Sequence, residues 1–265
     1  MIENLVTNFS VSNNMISVII PVLNEAKTIG SLLQHLMENS DSNNISDIIV
    51  VDGGSTDGTQ KIVTNFIASS DFEHSEKLNQ EAQKSDFTQP DILLLNSPKG
   101  RAKQMNLGAK NAKWDILYFL HADSFPPKHF DHYIINEVKK GHEAGCFRMQ
   151  FDSSHWWLQL AGWLTQFNLK VCRGGDQSLF ITKSLFNTIG GYDEAYIIYE
   201  DNILIKELYK RNQFIVINKR IITSARLYKR VGIWKLQIHY WAIHLKKWLG
   251  ASAEDLLAYY KRHIA

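Results

Sequence analysis

The sequence is short of the features that would place it in several common classes. It has only two cysteines, Cys146 and Cys172, which form no zinc-like cluster and suit a reducing compartment without a disulfide. Charge of one sign is also lacking: 29 lysines and arginines face 27 aspartates and glutamates, and a net charge of +2 gives no electrostatic case for nucleic acid as a partner. No apolar run is long enough to cross a bilayer, and the polar opening "MIENLVTNFSVSNN" does not read as a signal peptide, so the expected setting is cytoplasmic. No internal repeat is visible. What remains is an ordinary globular composition, 45% hydrophobic and 21% charged, in a chain long enough for a substantial core in one or two domains.

The first half alternates strand and helix patterns. "ISVII" (16–20), closed by Pro21, is a short β-branched run, and Ile29, Leu32, Leu33, Leu36 and Met37 follow at helical spacing. "ISDIIVVD" ends a second strand at Asp52. The glycine and hydroxyl run that follows opens a helix with Ser55, Thr56 or Asp57 as cap and Ile62, Val63 and Phe66 on its inner face. Residues 69–90 are polar and weakly patterned and read as a surface loop or short excursion before the third strand. "DILLLN" gives a third strand, and Ala102, Met105, Ala109 and Ala112 give the next helix its apolar face. "ILYFLHAD" gives a fourth strand. Such alternation predicts an α/β fold with a mostly parallel, doubly wound sheet whose ligands gather at the carboxyl ends of the strands.

Those ends carry a particular set of side chains. The first strand delivers Pro21, Asn24 and Glu25, the second Asp52 and Gly53, and the fourth His121, Ala122 and Asp123. Arg101 follows a glycine at a helix start. Acids can accept hydrogen bonds from a base or ribose, while a helix start and an arginine suit phosphate. Asp123 is placed to hold a hard divalent ion. A capped strand-to-helix turn is the plainer alternative for "VVDGGSTDGT", as is a hydrogen-bonded strand-end histidine for His121.

In order, "VIIPVLNE", "VVDGGSTDGT", "GRAKQMNLGA", "FLHADS" and "YEDNILIKEL" resemble the inverting glycosyltransferase family 2, in particular a compact bacterial branch with a His-Ala-Asp metal motif. The resemblance runs from about Ile16 to Leu208. It implies a Rossmann-like GT-A fold, a nucleotide-diphosphate sugar as donor (a UDP-sugar first), a bound Mn²⁺ or Mg²⁺, and transfer with inversion to a sugar or lipid-linked acceptor. Carried over, Pro21, Asn24, Glu25, Asp52, Gly53, Arg101 and Ala122 line the donor site. Asp123 holds the metal, with His121 where the family has another acid. Gly175, Asp176 and Gln177 meet the acceptor, Asp201 is the general base and Glu200 its orienting neighbour. Without the resemblance, Glu200 and Asp201 read as acids at a helix start. The Gly190-Gly191-Tyr192 turn is expected to be structural.

The resemblance divides the chain into an N-terminal extension (1–14), a transferase domain (15–230, with a donor half 15–124 and an acceptor half 125–230) and a C-terminal helical segment (231–265). Arg226, Lys229 and Arg230 either close over the diphosphate or form an exposed basic turn. Trp234, Ile238, Trp241, Leu245 and Trp248 make a helical stripe flanked by Lys235, Lys246 and Lys247. It suits a peripheral contact with an anionic membrane, or else a core or homodimer contact. "SAEDLLAYYKRH" predicts a last helix capped by Ser252. Two other functions remain open, a sugar-nucleotide nucleotidyltransferase and a non-catalytic binding protein. The first would need a glycine- and lysine-rich triphosphate loop, for which "PVLNEAKTIG" is a poor substitute.

Overall fold

The computed structural model describes residues 15–80 and 90–265. The expected extension, residues 1–14, lies outside them. The described strands form one sheet: β1 (Ile16–Val22), β2 (Ile45–Asp52), β3 (Asp91–Asn96), β4 (Ile116–Phe119), β5 (Ser124–Phe125), β6 (Ala144–Phe151), β7 (Leu179–Thr182) and β8 (Ile215–Thr223). Their order is β3-β2-β1-β4-β7-β6-β8-β5. β1 to β4 run parallel, β7 is antiparallel to both β4 and β6, and β8 is parallel to β6.

Alternation along the strands builds two cores. Val18, Ile20, Ile48 and Val50 point to one face, against Leu32, Leu33 and Leu36 of α1 (Ile29–Asn39) and Phe130 and Ile134 of α4 (Phe130–Lys139). Ile19, Ile49 and Val51 point to the other, against Ala102, Met105 and Ala109 of α3 (Arg101–Asn111) and Leu204 and Leu208 of α7 (Glu200–Lys210). Each fully buried aliphatic side chain stabilises the fold by about 1.5–3 kcal/mol.

Two elements differ from expectation. Pro21 does not close β1, which continues to Val22 and pairs with β2 at Pro21↔Val51 and Val22↔Asp52. The carbonyl of Ile19 faces β4 and that of Val22 faces β2, so alternation turns Pro21 toward the β4 side. β4 pairs with β1 only as far as Ile19↔Phe119, so no ladder bond is lost to the missing N–H. The presumed loop at 69–90 begins as helix instead: α2 runs from Thr59 to Gln80. Its second half has no glycine or proline to stop it and several strong helix formers. Residues 81–89 lie outside the described residues.

The C-terminal helices pack as a separate layer. α8 (Arg226–Val231), α9 (Ile233–Trp248) and α10 (Ala253–His263) bury Leu236, Ile243, Leu256 and Ile264 against Tyr196, Ile198 and Tyr199. α10 begins with a capping box, Ser252 Oγ accepting from Asp255 N at 3.1 Å and Asp255 Oδ2 accepting from Ser252 N at 3.0 Å. The tryptophan stripe of α9 is not core: Trp241 is 52% and Trp248 81% exposed.

Candidate active site

The order 3-2-1-4 reverses the winding direction between β1 and β4, so the loops beyond their carboxyl ends part and leave a crevice. On the β1–β2 side the loops are tied together. Asn24 sits at φ 57°, its N–H donating to Ser55 Oγ at 2.8 Å while its Oδ1 accepts from Thr56 N at 2.8 Å. The Glu25 amide donates to Thr59 Oγ1 at 2.9 Å, and Asp57 is the acid that caps α2, accepting from Thr59 N at 3.0 Å.

Asp52 is fully buried and accepts from Gly54 N and Ser55 N at 3.0 Å each, from Gln60 Nε2 at 2.6 Å, and from Ser55 Oγ. Burial works to raise its pKa, but these bonds outweigh it and hold the carboxyl below the usual range. Gly53 lies under Gln104, whose side chain a Cβ there would approach to 3.0 Å. Gln104 Nε2 donates to the carbonyls of Val22 and Val51 at 2.8 and 2.7 Å, stitching the ends of β1 and β2. Its signal in the sequence was one polar side chain beside Met105 on the apolar face of α3.

β8 brings a cation to this edge. β5, which directly follows Asp123, pairs with Thr223 and Ile222, and the Ser224 amide donates to the Asp123 carbonyl at 3.2 Å. Arg226 therefore stands over the acids. Its Nη1 donates to Glu25 Oε2 at 2.6 Å, Nη2 pairs with Glu25 Oε1, and Nε lies 3.2 Å from Asp123 Oδ2. Burial, with Asp176 and Glu25 nearby, raises the Asp123 carboxyl against the pull of His121 and Arg226. Hard oxygens at a site of excess negative charge fit a divalent ion shared with substrate phosphates, which usually needs only one or two protein carboxylates. Among the described residues no group of three or more histidines, cysteines and acids is disposed to hold a metal without such help.

His121 and Asp176 lead to the opposite wall. His121 Nδ1 lies 3.5 Å from Asp176 Oδ1. Burial works to lower the imidazole pKa, but Asp176 and Asp201 carry it above its ordinary value. With Nδ1 turned to Asp176, a metal could be met only by Nε2. Ala122 is buried in the core beneath. Gly175 is the contact point of the wall: a Cβ there would lie 2.0 Å from Asp201 Oδ2 and 3.1 Å from His121 Cε1. The Asp201 carboxylate thus rests on bare backbone in a crevice lined by His121, Gly174, Gly175, Leu179 and Tyr192.

Tyr199, at φ 72°, turns the chain into α7, whose second residue, Asp201, lines this crevice. Glu200 is fully buried, with Arg101 Nε 2.6 Å from Oε1, yet neither carboxylate oxygen accepts an aligned hydrogen bond. Burial pushes its carboxyl up to about 7, against the opposing charge of Arg101. Arg101, whose side chain stays 40% exposed, thereby joins the two walls. The Tyr192 hydroxyl is buried without a partner. The Gly190-Gly191-Tyr192 turn is structural, its backbone N–H and carbonyl at Tyr192 both bound by Asn106 of α3 at 2.9 Å.

Like the Ala122 side chain, another expected site residue is buried. Gln177 was assigned to sugar hydroxyls, but it is buried, its Oε1 accepting from Arg173 Nη1 at 2.5 Å and its Nε2 donating to the Cys172 carbonyl at 2.6 Å. The cause is Arg173, a buried guanidinium that also donates to the carbonyls of Thr165 and Phe167 and needs every nearby acceptor. Asp176, half exposed, remains on the crevice.

The comparisons agree with this architecture. The profile of Glycosyl transferase family 2 matches residues 17–181. A probable glycosyltransferase of Bacillus subtilis, YdaM, is 25% identical over 244 residues, 86% of this chain and 54% of YdaM, so the chain spans about half of that relative. Among solved structures, residues 1–349 of TarS from S. aureus in complex with UDP superpose with a TM-score of 0.60 at 18% identity, covering 79% of this chain and 60% of that one. The mannosyltransferase PcManGT from Pyrobaculum calidifontis, in complex with GDP-Man and Mn²⁺, gives 0.62 at 18% identity over 92% of this chain and 69% of its own. The fold is that of the GT-A glycosyltransferases, and with the family profile covering more than half of its length, the chain belongs to glycosyl transferase family 2.

Proposed function

We propose that the protein transfers a sugar from a nucleotide-diphosphate donor, a UDP-sugar first, to the hydroxyl of a sugar or lipid-linked acceptor, with inversion at the anomeric carbon. The observation that carries this reading is the seating of Asp201: its carboxylate lies on the Gly175 backbone in a small cavity lined also by His121. Residues 15–230 form the transferase domain and 231–265 its helical cover.

As the acceptor oxygen forms its bond to the anomeric carbon, its proton passes to Asp201. The bond from that carbon to the diphosphate oxygen breaks from the opposite face, and the nucleoside diphosphate leaves with the electron pair. A positioned base of this kind contributes about 10²–10⁴-fold. Glu200, held by Arg101, fixes the start of α7 and so the direction of Asp201. Pro21, Asn24, Glu25 and Gly53 shape the nucleoside side, with Asp52 holding their loops. Asp123 would hold a divalent Mn²⁺ or Mg²⁺ ion, whose chemistry is to offset charge on the diphosphate. Arg226 supplies a second positive group there.

Thermal unfolding with UDP, GDP, CDP and dTDP and the matching triphosphates, each with and without Mn²⁺, tests the donor side. A ligand that binds the folded state alone stabilises it by about 2.7 kcal/mol at a hundredfold excess over its Kd. One diphosphate should raise the midpoint, more so with metal. A triphosphate preference would redirect the reading to nucleotidyl transfer, and no shift with any nucleotide to a binding scaffold. Proton NMR of the first-formed product anomer checks inversion.

A further inference from the structure

Two helices far apart in sequence bring large apolar side chains to the surface together. On α9 the exposed residues are Trp234, Ile238, Trp241, Leu245 and Trp248. On α5 (Trp156–Leu164) and the turns after it they are Trp156, Trp163, Phe167, Leu169 and Val171, the last 87% exposed. The two sets are joined by ring contacts, Trp234 lying 5.8 Å from Trp156 and 5.2 Å from Trp157, and Trp157 6.1 Å from Trp241. Trp157 Nε1 donates to Gln237 Oε1 at 3.1 Å, fixing one helix to the other. Both helices already have a buried side in Leu158, Leu236 and Ile243. The exposed face is a second apolar face, larger than scattered surface residues produce.

Its charge is one-sided. From Ser153 through Gly175, and from Leu208 through Ala253, there is no aspartate or glutamate, although the whole chain has 27, and the second stretch holds ten lysines and arginines. At 3.6 residues per turn, Lys235 and Lys246 fall on one flank of the α9 stripe, and both are exposed. Lys170 stands beside Val171.

We propose that this face binds the surface of an anionic lipid bilayer, with α5 and α9 lying in its plane. Tryptophans favour the headgroup level, and flanking lysines reach anionic lipid while their stems cover apolar surface. No helix among the described residues is long and apolar enough to cross a membrane, so the contact is peripheral. A second copy of the chain is the weaker occupant, because self-association through this face would set its cations against one another. Val171 stands four residues before Gly175, which puts the apolar face next to the acceptor wall. Binding to lipid does not depend on catalysis and is measured without it.

Co-sedimentation of the full chain with vesicles of phosphatidylcholine, alone or with about 30% phosphatidylglycerol, is the test. The anionic vesicles should bind at least about tenfold more tightly, with a blue shift of tryptophan emission and weakening at high salt. Each lysine near such a surface contributes a factor of about five, so Lys235→Gln with Lys246→Gln should weaken binding about 25-fold. Trp156→Ser, Trp163→Ser and Trp241→Ser together should abolish it with the circular dichroism spectrum unchanged. If that triple variant does not fold, the lysine pair decides the matter. Equal affinity for neutral and anionic vesicles, or no binding to either, overturns the assignment. So does a wild-type dimer in sedimentation velocity that the tryptophan variant dissolves without any vesicle binding, which would give the face to a second copy.

Discussion

On the donor side of the crevice, Asn24, Asp52 and Asp57 have their oxygens filled by amides and hydroxyls of the same two loops. Across from them, Glu200 and Tyr192 are buried with no aligned hydrogen bond, and Asp201 is set against a glycine backbone. The first wall is preorganised by local bonds that close on themselves. The second keeps polar groups buried and unsatisfied, which costs stability and survives only where the surrounding packing is strong. One wall holds its shape through its own hydrogen bonds; the other is held by packing and by the Arg101–Glu200 ion pair.

The contrast can be broken most sharply at Asp201. Asp201→Asn should lower turnover by about 10²–10⁴-fold while leaving nucleotide-induced stabilisation unchanged, as read by kinetics and thermal shift on one preparation. A donor shift lost together with turnover would erase the division. Gly175→Ala puts a Cβ where Asp201 Oδ2 lies and should cost turnover nearly as much, with far less effect on nucleotide binding.

Stability measurements sharpen the same comparison. Arg173→Met strands the Gln177 Oε1 and the carbonyls of Thr165 and Phe167 at about 1–3 kcal/mol each before relaxation. Denaturant unfolding should show a loss of about 3 kcal/mol or more. Asp52→Ala removes the acceptor that shapes the donor loop and should cost about 1–2 kcal/mol, and it should also weaken nucleotide binding.

The remaining effect is in pH. The folded Glu200 carboxyl sits near 7, against an ordinary 4.5, so between these values the folded state keeps a proton that the unfolded chain releases. Stability should therefore fall as pH rises from about 4.5 to about 7, where the Glu200 contribution ends, and the raised His121 continues the decline above 6.5. Glu200→Gln should flatten the lower part of this slope in midpoints measured between pH 5 and 8.

How far the sequence foretold this depends on the range of the interaction. β1 to β4, α1 and α3 are readable from local periodicity, and the Ser252–Asp255 cap from a four-residue signal. Glu25 and Asp123 were legible as strand-end acids because strand ends are local features, whereas Asp176 and Asp201 were singled out only through the family resemblance. The bonding of Gln177 and Arg173 was not legible, because what binds them depends on carbonyls several residues away whose direction no pattern encodes. The C-terminal stripe showed its period but not its exposure, which depends on whether another element covers it. The pairing in the second half of the sheet was not readable for a related reason. The short β7 and the mixed pairing of β6 and β8 depend on partners distant in sequence.

Glu25 and Arg226, which meet over the donor site, are 201 residues apart in the chain. A ribosome adding about 5–20 residues per second needs about 10–40 s to make the second after the first. For that interval a newly made β1–β4 half carries its acids without their counter-ion, and cations from the surrounding solution must screen them instead. The crevice is begun by β1 and completed only when the growing chain has passed the end of β8.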